Sequence, residues 1–394
     1  MNAVRKEIFV ASPGDGVDIA GYAIYTQPEG RTMMSVHGVH TRSDILDAMQ
    51  LRFSDDNGRT WSPGTPFRTY AKRPEGTLQR WLQPGFLDAR TGGLVFFILH
   101  GVLPTDDPLD GLKYYTMRWT ISNDGGRTLA HEEPVIQYGP QYDERHPIDG
   151  VWLGRNAIME GVNAVVLESG EALYPVMVAP LGPDGQYHNP TKAYTFTDVV
   201  VLIGRWDGDR LRWGVSQRIR IDPGKSTRGA LEPAITPLAD GRLLIVMRGS
   251  NDTQPDLPGR KWYTISSDRG RTWSEPQPWT FDDGQAFFSP SSISRFVNHS
   301  SGRIFWLGNI VDRNPTGNLP RRPLIAGQVD PRTGLLIRST VTILEAGEDD
   351  SAMLTNFHAH EDRQTSQINL YLPYWHYPPK PGCPGHLWRY AIEV

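Results

Sequence analysis

The chain has 394 residues and balances 40 basic against 44 acidic side chains, a net charge of −4, so no global basic field recruits nucleic acid or an anionic membrane. Hydrophobic residues make up 38%, and 40 glycines and 32 prolines are scattered between short apolar runs, none near the ~18 residues of a bilayer span. The single cysteine, Cys383, excludes an internal disulfide and a thiolate zinc cluster, and nothing in the composition implies a metal or a cofactor.

Residues 4–11 read as a short strand, expected to pair with a final strand over 386–394 and so close a ring of sheets. The apolar run Ile8, Phe9, Val10, Ala11 is too short for a signal peptide, which implies a cytoplasmic protein if Met1 is the native start and a secreted or periplasmic one if a leader was removed. His37 and His40 follow on opposite faces of a strand, and Asp44 and Asp47 occupy the next loop. Ser54-Asp55-Asp56-Asn57-Gly58-Arg59-Thr60-Trp61 is then the first of three copies of S-x-D-x-G-x-T-(W); residues 122–129 and 266–273 are the others, and Trp206-Asp207-Gly208 is a degenerate fourth. In each copy the Asp accepts hydrogen bonds from turn N–H groups, the Gly takes a positive φ, and Thr and Trp restart a strand, so these residues are structural. Weaker turns end in Gly30, Gly92, Gly170, Gly241 and Gly302, with a sixth at Thr365-Ser366, at an average spacing of about 67 residues. Six such units of short strands, without long helical periodicity, predict one all-β domain over 1–394, a six-bladed β-propeller of four-stranded antiparallel blades.

In a propeller the innermost strands line a central channel, so equivalent positions converge. Counting back from the turns gives Gln83, Glu160, Glu232, Ser291 and Asn356; counting forward gives His37, His100, Val178, Arg248 and Asn309. Carboxylates, imidazoles and an arginine in one ring are more chemistry than a water-filled channel requires, and the polar members are expected to border one pocket at one end. His358 and His360 share a strand face, where polar packing outweighs metal binding. Arg321 and Arg322 sit in a proline-rich loop, suited to an anion or to solvent, and Tyr374, Trp375 and Tyr377 suit either a sugar ring or a packed loop.

The S-x-D-x-G-x-T-W copies are Asp boxes (BNR repeats), and with the sixfold period the chain resembles the sialidase (neuraminidase) superfamily along nearly its whole length. The closest local match is Leu231-Glu232-Pro233-Ala234-Ile235, then Leu238-Ala239-Asp240-Gly241-Arg242-Leu243-Leu244 and Met247-Arg248. The resemblance implies that Glu232 is the partner that activates a tyrosine nucleophile in sialidases and that Arg248 is one of three arginines clamping the sugar carboxylate. Two departures stand out. No Arg-Ile-Pro motif precedes the first box, and Phe287-Phe288-Ser289-Pro290-Ser291-Ser292 stands where the tyrosine is expected. Arg260 or Lys261 is the candidate for a further clamp, and Asp47, with Asp44 nearby, fits the loop of the acid/base aspartate.

These readings combine into a carbohydrate-active enzyme, an exo-acting, sialidase-like glycoside hydrolase on a terminal acidic sugar. Asp47 is the expected acid, Glu232 the base or nucleophile support and His37 a further catalytic candidate, with Arg248, Glu160, Gln83, Asn309, Asn356, His358 and Lys261 binding substrate. Two other classes stay open: a polysaccharide lyase, in which His37 or a tyrosine abstracts a proton beside a uronate carboxylate held by Arg248, and a sugar-binding propeller without catalysis. In each the partner is a glycan or small acidic sugar.

Overall fold

The computed structural model describes residues 2–42, 44–88, 90–105 and 107–394. They form six antiparallel sheets arranged as a six-bladed propeller. Blade one runs outward from the channel as Asp18–Tyr25, Met33–His40, Ala48–Ser54 and Thr65–Phe67. Blade four repeats the plan as Leu231–Pro237, Leu243–Arg248, Lys261–Ser266 and Gln277–Pro278, and blade five as Arg295–Asn298, Ile304–Asn309, Leu324–Val329 and Thr342–Glu345. Blade two carries an extra strand, Tyr70–Arg73, along its inner strand Gly76–Leu87. In blades three and six the inner strand is broken in two, as Ile158–Met159 with Val165–Val166 and as Ala352–Leu354 with His358–Glu361. The expected plan of six four-stranded antiparallel blades holds, and the three blades that elaborate on it do so along the channel wall.

The second strand of a blade is sandwiched between neighbouring blades on both faces, which is why it reads as an unbroken apolar run rather than as an alternation. Leu243–Arg248 is buried at every position. The cores lie between blades: Phe97 of blade two stacks on Tyr174 of blade three at 4.0 Å between ring centroids, and Trp279 meets Trp306 at 5.0 Å across blades four and five. Asn2–Val10 pairs antiparallel with His386–Glu393 and supplies the outer strand of blade six. Phe9 then sits between Tyr371 of blade six and Trp61 of blade one, at 4.8 and 5.5 Å, so the two ends of the chain close the ring through side chains as well as backbone.

All three Asp boxes fold alike. In the third, Ser266 Oγ accepts from Gly270 N at 2.9 Å and donates to Asp268 Oδ1 at 2.8 Å, while Asp268 also accepts from Arg271 N, Thr272 N and Thr272 Oγ1. Gly270 has φ +79, and the residue before it, Arg269, is also left-handed at 60. The Gly turns join first to second strands and the boxes join third to fourth, so antiparallel order puts all of them at one end of the propeller. The loops from second to third strands and the connections between blades gather at the other end, and the candidate site is there.

Candidate active site

Four inner-strand positions reached by counting along the repeat lie where the channel wall loses its regularity. Glu160 sits in the break of blade three's inner strand, and Asn356, left-handed at φ 56 and exposed, sits in the break of blade six's. Glu232 has φ 41, inside a register shift between Leu231 and Ala234. Ser291 lies in the connection just before Arg295–Asn298. Irregular backbone frees these residues from strand alternation.

Glu232 and Arg248 form an ion pair at 2.7 Å between Oε1 and Nη1. The same guanidinium donates from Nε to Ser291 Oγ at 2.6 Å and from Nη2 to Asn318 Oδ1 at 3.0 Å. Ser291 also accepts, through its carbonyl, two hydrogen bonds from Arg321, at 3.1 and 2.8 Å, so one serine fixes two arginines. A third arginine, Arg228, precedes Leu231–Pro237 and is held by Thr195 Oγ1 at 3.0 Å. Burial and the neighbouring Arg248 lower Arg228 to about 10 and Arg321 to about 9, a mark of three like charges crowded in one desolvated place. Neither has a carboxylate ion-pair partner among the described residues, which leaves the cluster short of negative charge and fit to receive an anionic ligand.

The two glutamates are driven apart. Burial raises Glu160 to about 7, with Glu232 and Asp44 pushing the same way. Burial also acts to raise Glu232, but Arg248, aided by Arg321 and Arg228, outweighs it and holds the carboxyl below its ordinary range. A protonated and an ionised carboxyl thus share one end of the channel near neutral pH. Asp44 joins them from blade one, accepting from Tyr194 Oη at 3.0 Å. Both Tyr194 and Tyr115 are raised, by burial first and then by nearby carboxylates, so neither is poised as a phenolate nucleophile.

Several expected site residues lie elsewhere. Asp47 caps its own loop, accepting from Thr41 N and Oγ1, both at 2.8 Å; the loop residue beside the cluster is Asp44. His37 is buried in the sheet, lowered to about 4 by burial and by Arg52, on the strand face whose other members pack toward blade six. Gln83 pairs with Phe97 in the half of its strand nearer the Gly turn, because blade two's inner strand is longer than the repeat count assumes. Lys261 is fully buried, and its Nζ holds the Ser292 carbonyl and, at 3.3 Å, the Ser292 hydroxyl. Asn309 is buried and donates to the carbonyls of Arg321, Pro323 and Leu354, which makes it a support for the Arg321 loop. His358 faces Arg295 deeper in the channel. Arg228, Arg321, Asp44 and Tyr194 all stand on loops; the sequence points to Arg321, flanked by prolines, and to Asp44, in the loop before the first Asp box, but to neither Arg228 nor Tyr194. Among the described residues one group has metal-ligand spacing, Glu348, His376 and Cys383, with candidate ligand atoms within 4.8 Å of one another; it lies in blade six, where Lys380 already pairs with Glu348 at 3.1 Å.

The profile of the BNR repeat-like domain matches residues 84–351. No curated protein matches the sequence. Among solved structures, a protein of unknown function from Dyadobacter fermentans aligns with a TM-score of 0.64 at 15% identity, covering 100% of this chain and 99% of that one. The intramolecular trans-sialidase from Ruminococcus gnavus, in complex with oseltamivir carboxylate, gives 0.61 at 12% identity with 100% and 98% coverage. The α-L-arabinanase of Penicillium chrysogenum, complexed with arabinobiose, gives 0.54 at 15% with 100% and 99%. These likenesses establish a propeller fold shared with glycoside hydrolases.

Proposed function

This chain belongs to the BNR repeat-like domain family, and from that premise we propose that it is an exo-acting glycoside hydrolase that removes a terminal acidic sugar. The observation that carries the reading is the split pair of glutamates, of which Glu232 is paired with Arg248 and sits among three guanidiniums. Glu160, raised to about 7, donates a proton to the leaving glycosidic oxygen. Glu232, kept ionised by Arg248, supports the positive charge that develops on the sugar and either attacks it or activates water. No tyrosine nucleophile is needed in this arrangement. Arg321 and Arg228 receive the substrate carboxylate, while Arg248, engaged through all three nitrogens, organises Glu232 and the Ser291 loop. An end of a glycan suits the place better than an internal segment, because Arg228, Arg248 and Arg321 are each buried and leave little exposed surface for a chain to pass across.

A second reading is a neutral terminal sugar. It is favoured by the engagement of Arg248 with protein partners and by the arabinanase among the structural neighbours. A panel of acidic and neutral glycosides separates the two. Turnover of sialosides or uronides over their neutral counterparts supports the first, and turnover confined to neutral sugars, such as arabinosides, replaces it with the second.

A further inference from the structure

Deeper in the channel, toward the Gly-turn end, is a cavity of about 340 Å³ bordered by Ile24, Pro84, Arg295, Asn298, His358 and His360. Arg295 opens the inner strand of blade five and is only 8% exposed. Its Nε has no hydrogen-bond partner, and no carboxylate among the described residues pairs with it. The groups that act on its charge are the hydroxyls of Tyr174 and Tyr22, and both are already committed, donating to Gly161 O at 3.2 Å and to Leu82 O at 3.0 Å. Glu361, on the cavity rim, is turned away to the N–H and hydroxyl of Ser300 and toward His299. His358, 7% exposed, brings a second orphan: its Nδ1 is also without a partner.

A guanidinium buried without a counter-charge is costly, and a bare imidazole nitrogen beside it adds to the cost. A compact anion in the cavity removes both deficits. It neutralises Arg295 and accepts a hydrogen bond from the neutral His358 ring, whose charged form burial and Arg295 suppress. The space admits a halide or a single small carboxylate together with about ten waters, at ~30 Å³ per water. We propose that this cavity is a binding site for one small monovalent anion, held by Arg295 and His358, separate from the arginine cluster at the channel mouth. The site does not depend on the reaction proposed above, and its test needs no substrate.

Crystals of the full chain soaked in bromide test it directly, with an anomalous peak expected about 3.5 Å or less from the Arg295 guanidinium. In solution, exchanging a bulky sulfonate for chloride or acetate at constant ionic strength should raise the melting midpoint by on the order of 2 °C, and Arg295→Met should abolish the difference. If Arg295→Met does not fold, His358→Ala, which keeps the guanidinium, should weaken the anion effect several-fold. A response to chloride alone identifies an inorganic halide, and a response to acetate a carboxylate. Bromide found elsewhere in the channel but not at Arg295, or equal midpoints in all three salts, overturns the proposal.

Discussion

Glu160 and Glu232 carry the same functional group and are pushed in opposite directions by their neighbours: burial beside other carboxylates in one case, an arginine at 2.7 Å in the other. The sign of the resulting pH dependence follows. The acid works only while protonated, so activity should fall as pH rises through about 7. Glu160→Gln should lower kcat by about 10²–10⁴ and remove that alkaline limb; a limb that survives the substitution assigns it to another group. The arginines should separate by role. Arg321→Lys keeps the charge but loses the fork, and should cost about one to two powers of ten on an acidic substrate and far less on a neutral analogue. Arg248→Lys should impair both, since it disturbs Glu232 itself; equal losses for both variants on both substrates would contradict the division. Of these residues, Glu160, Glu232 and Arg248 were reachable from sequence because they hang at fixed offsets from the repeat turns. Arg321 and Asp44 stood out only as loop residues and Arg228 not at all, because loops carry no periodicity and their convergence exists only after the ring closes.

The Asp box shows why the fold was so much more legible than the site. Each box is self-contained, its serine, aspartate and glycine satisfying one another within a few residues, so the pattern survives as a local motif. Ser266 is fully buried, and its loss leaves the Gly270 N–H without a partner. Ser266→Ala should therefore lower unfolding free energy by about 1–2 kcal/mol in urea titration. No shift in midpoint would mean that the turn is held by its neighbours alone. Asp268 is opposed by burial but held down to about 2 by Thr272 and Ser266. Its contribution is complete above the ordinary value of 3.8 and is lost only as pH falls toward 2, so the boxes are not where neutral-pH sensitivity resides. The inner strands are the opposite case. Their breaks at Glu160 and Asn356 and the bulge at Glu232 have no turn signature, and an even count of residues per strand cannot anticipate them.

A closed ring removes the open sheet edges that a linear array of blades would leave. Here closure joins residues near opposite ends of the chain, with Asn2–Val10 on His386–Glu393 and Phe9 wedged between Tyr371 and Trp61. Phe9→Ala should cost about 1–2 kcal/mol of stability, against under ~0.5 kcal/mol for the neighbouring exposed Ile8→Ala. Comparable costs would show that the strand pairing, and not the aromatic wedge, closes the ring. A rigid ring is also what keeps side chains from five blades in register at the channel mouth, and the proposed chemistry stands or falls there. The most direct measurement is mass spectrometry of the products formed by the purified protein from a panel of acidic glycans in ¹⁸O-labelled water. A released terminal acidic sugar carrying one solvent oxygen, formed about 10²–10⁴-fold more slowly by Glu160→Gln, is the predicted result. An unsaturated uronate product without solvent oxygen, or saturable glycan binding with no turnover, would contradict it.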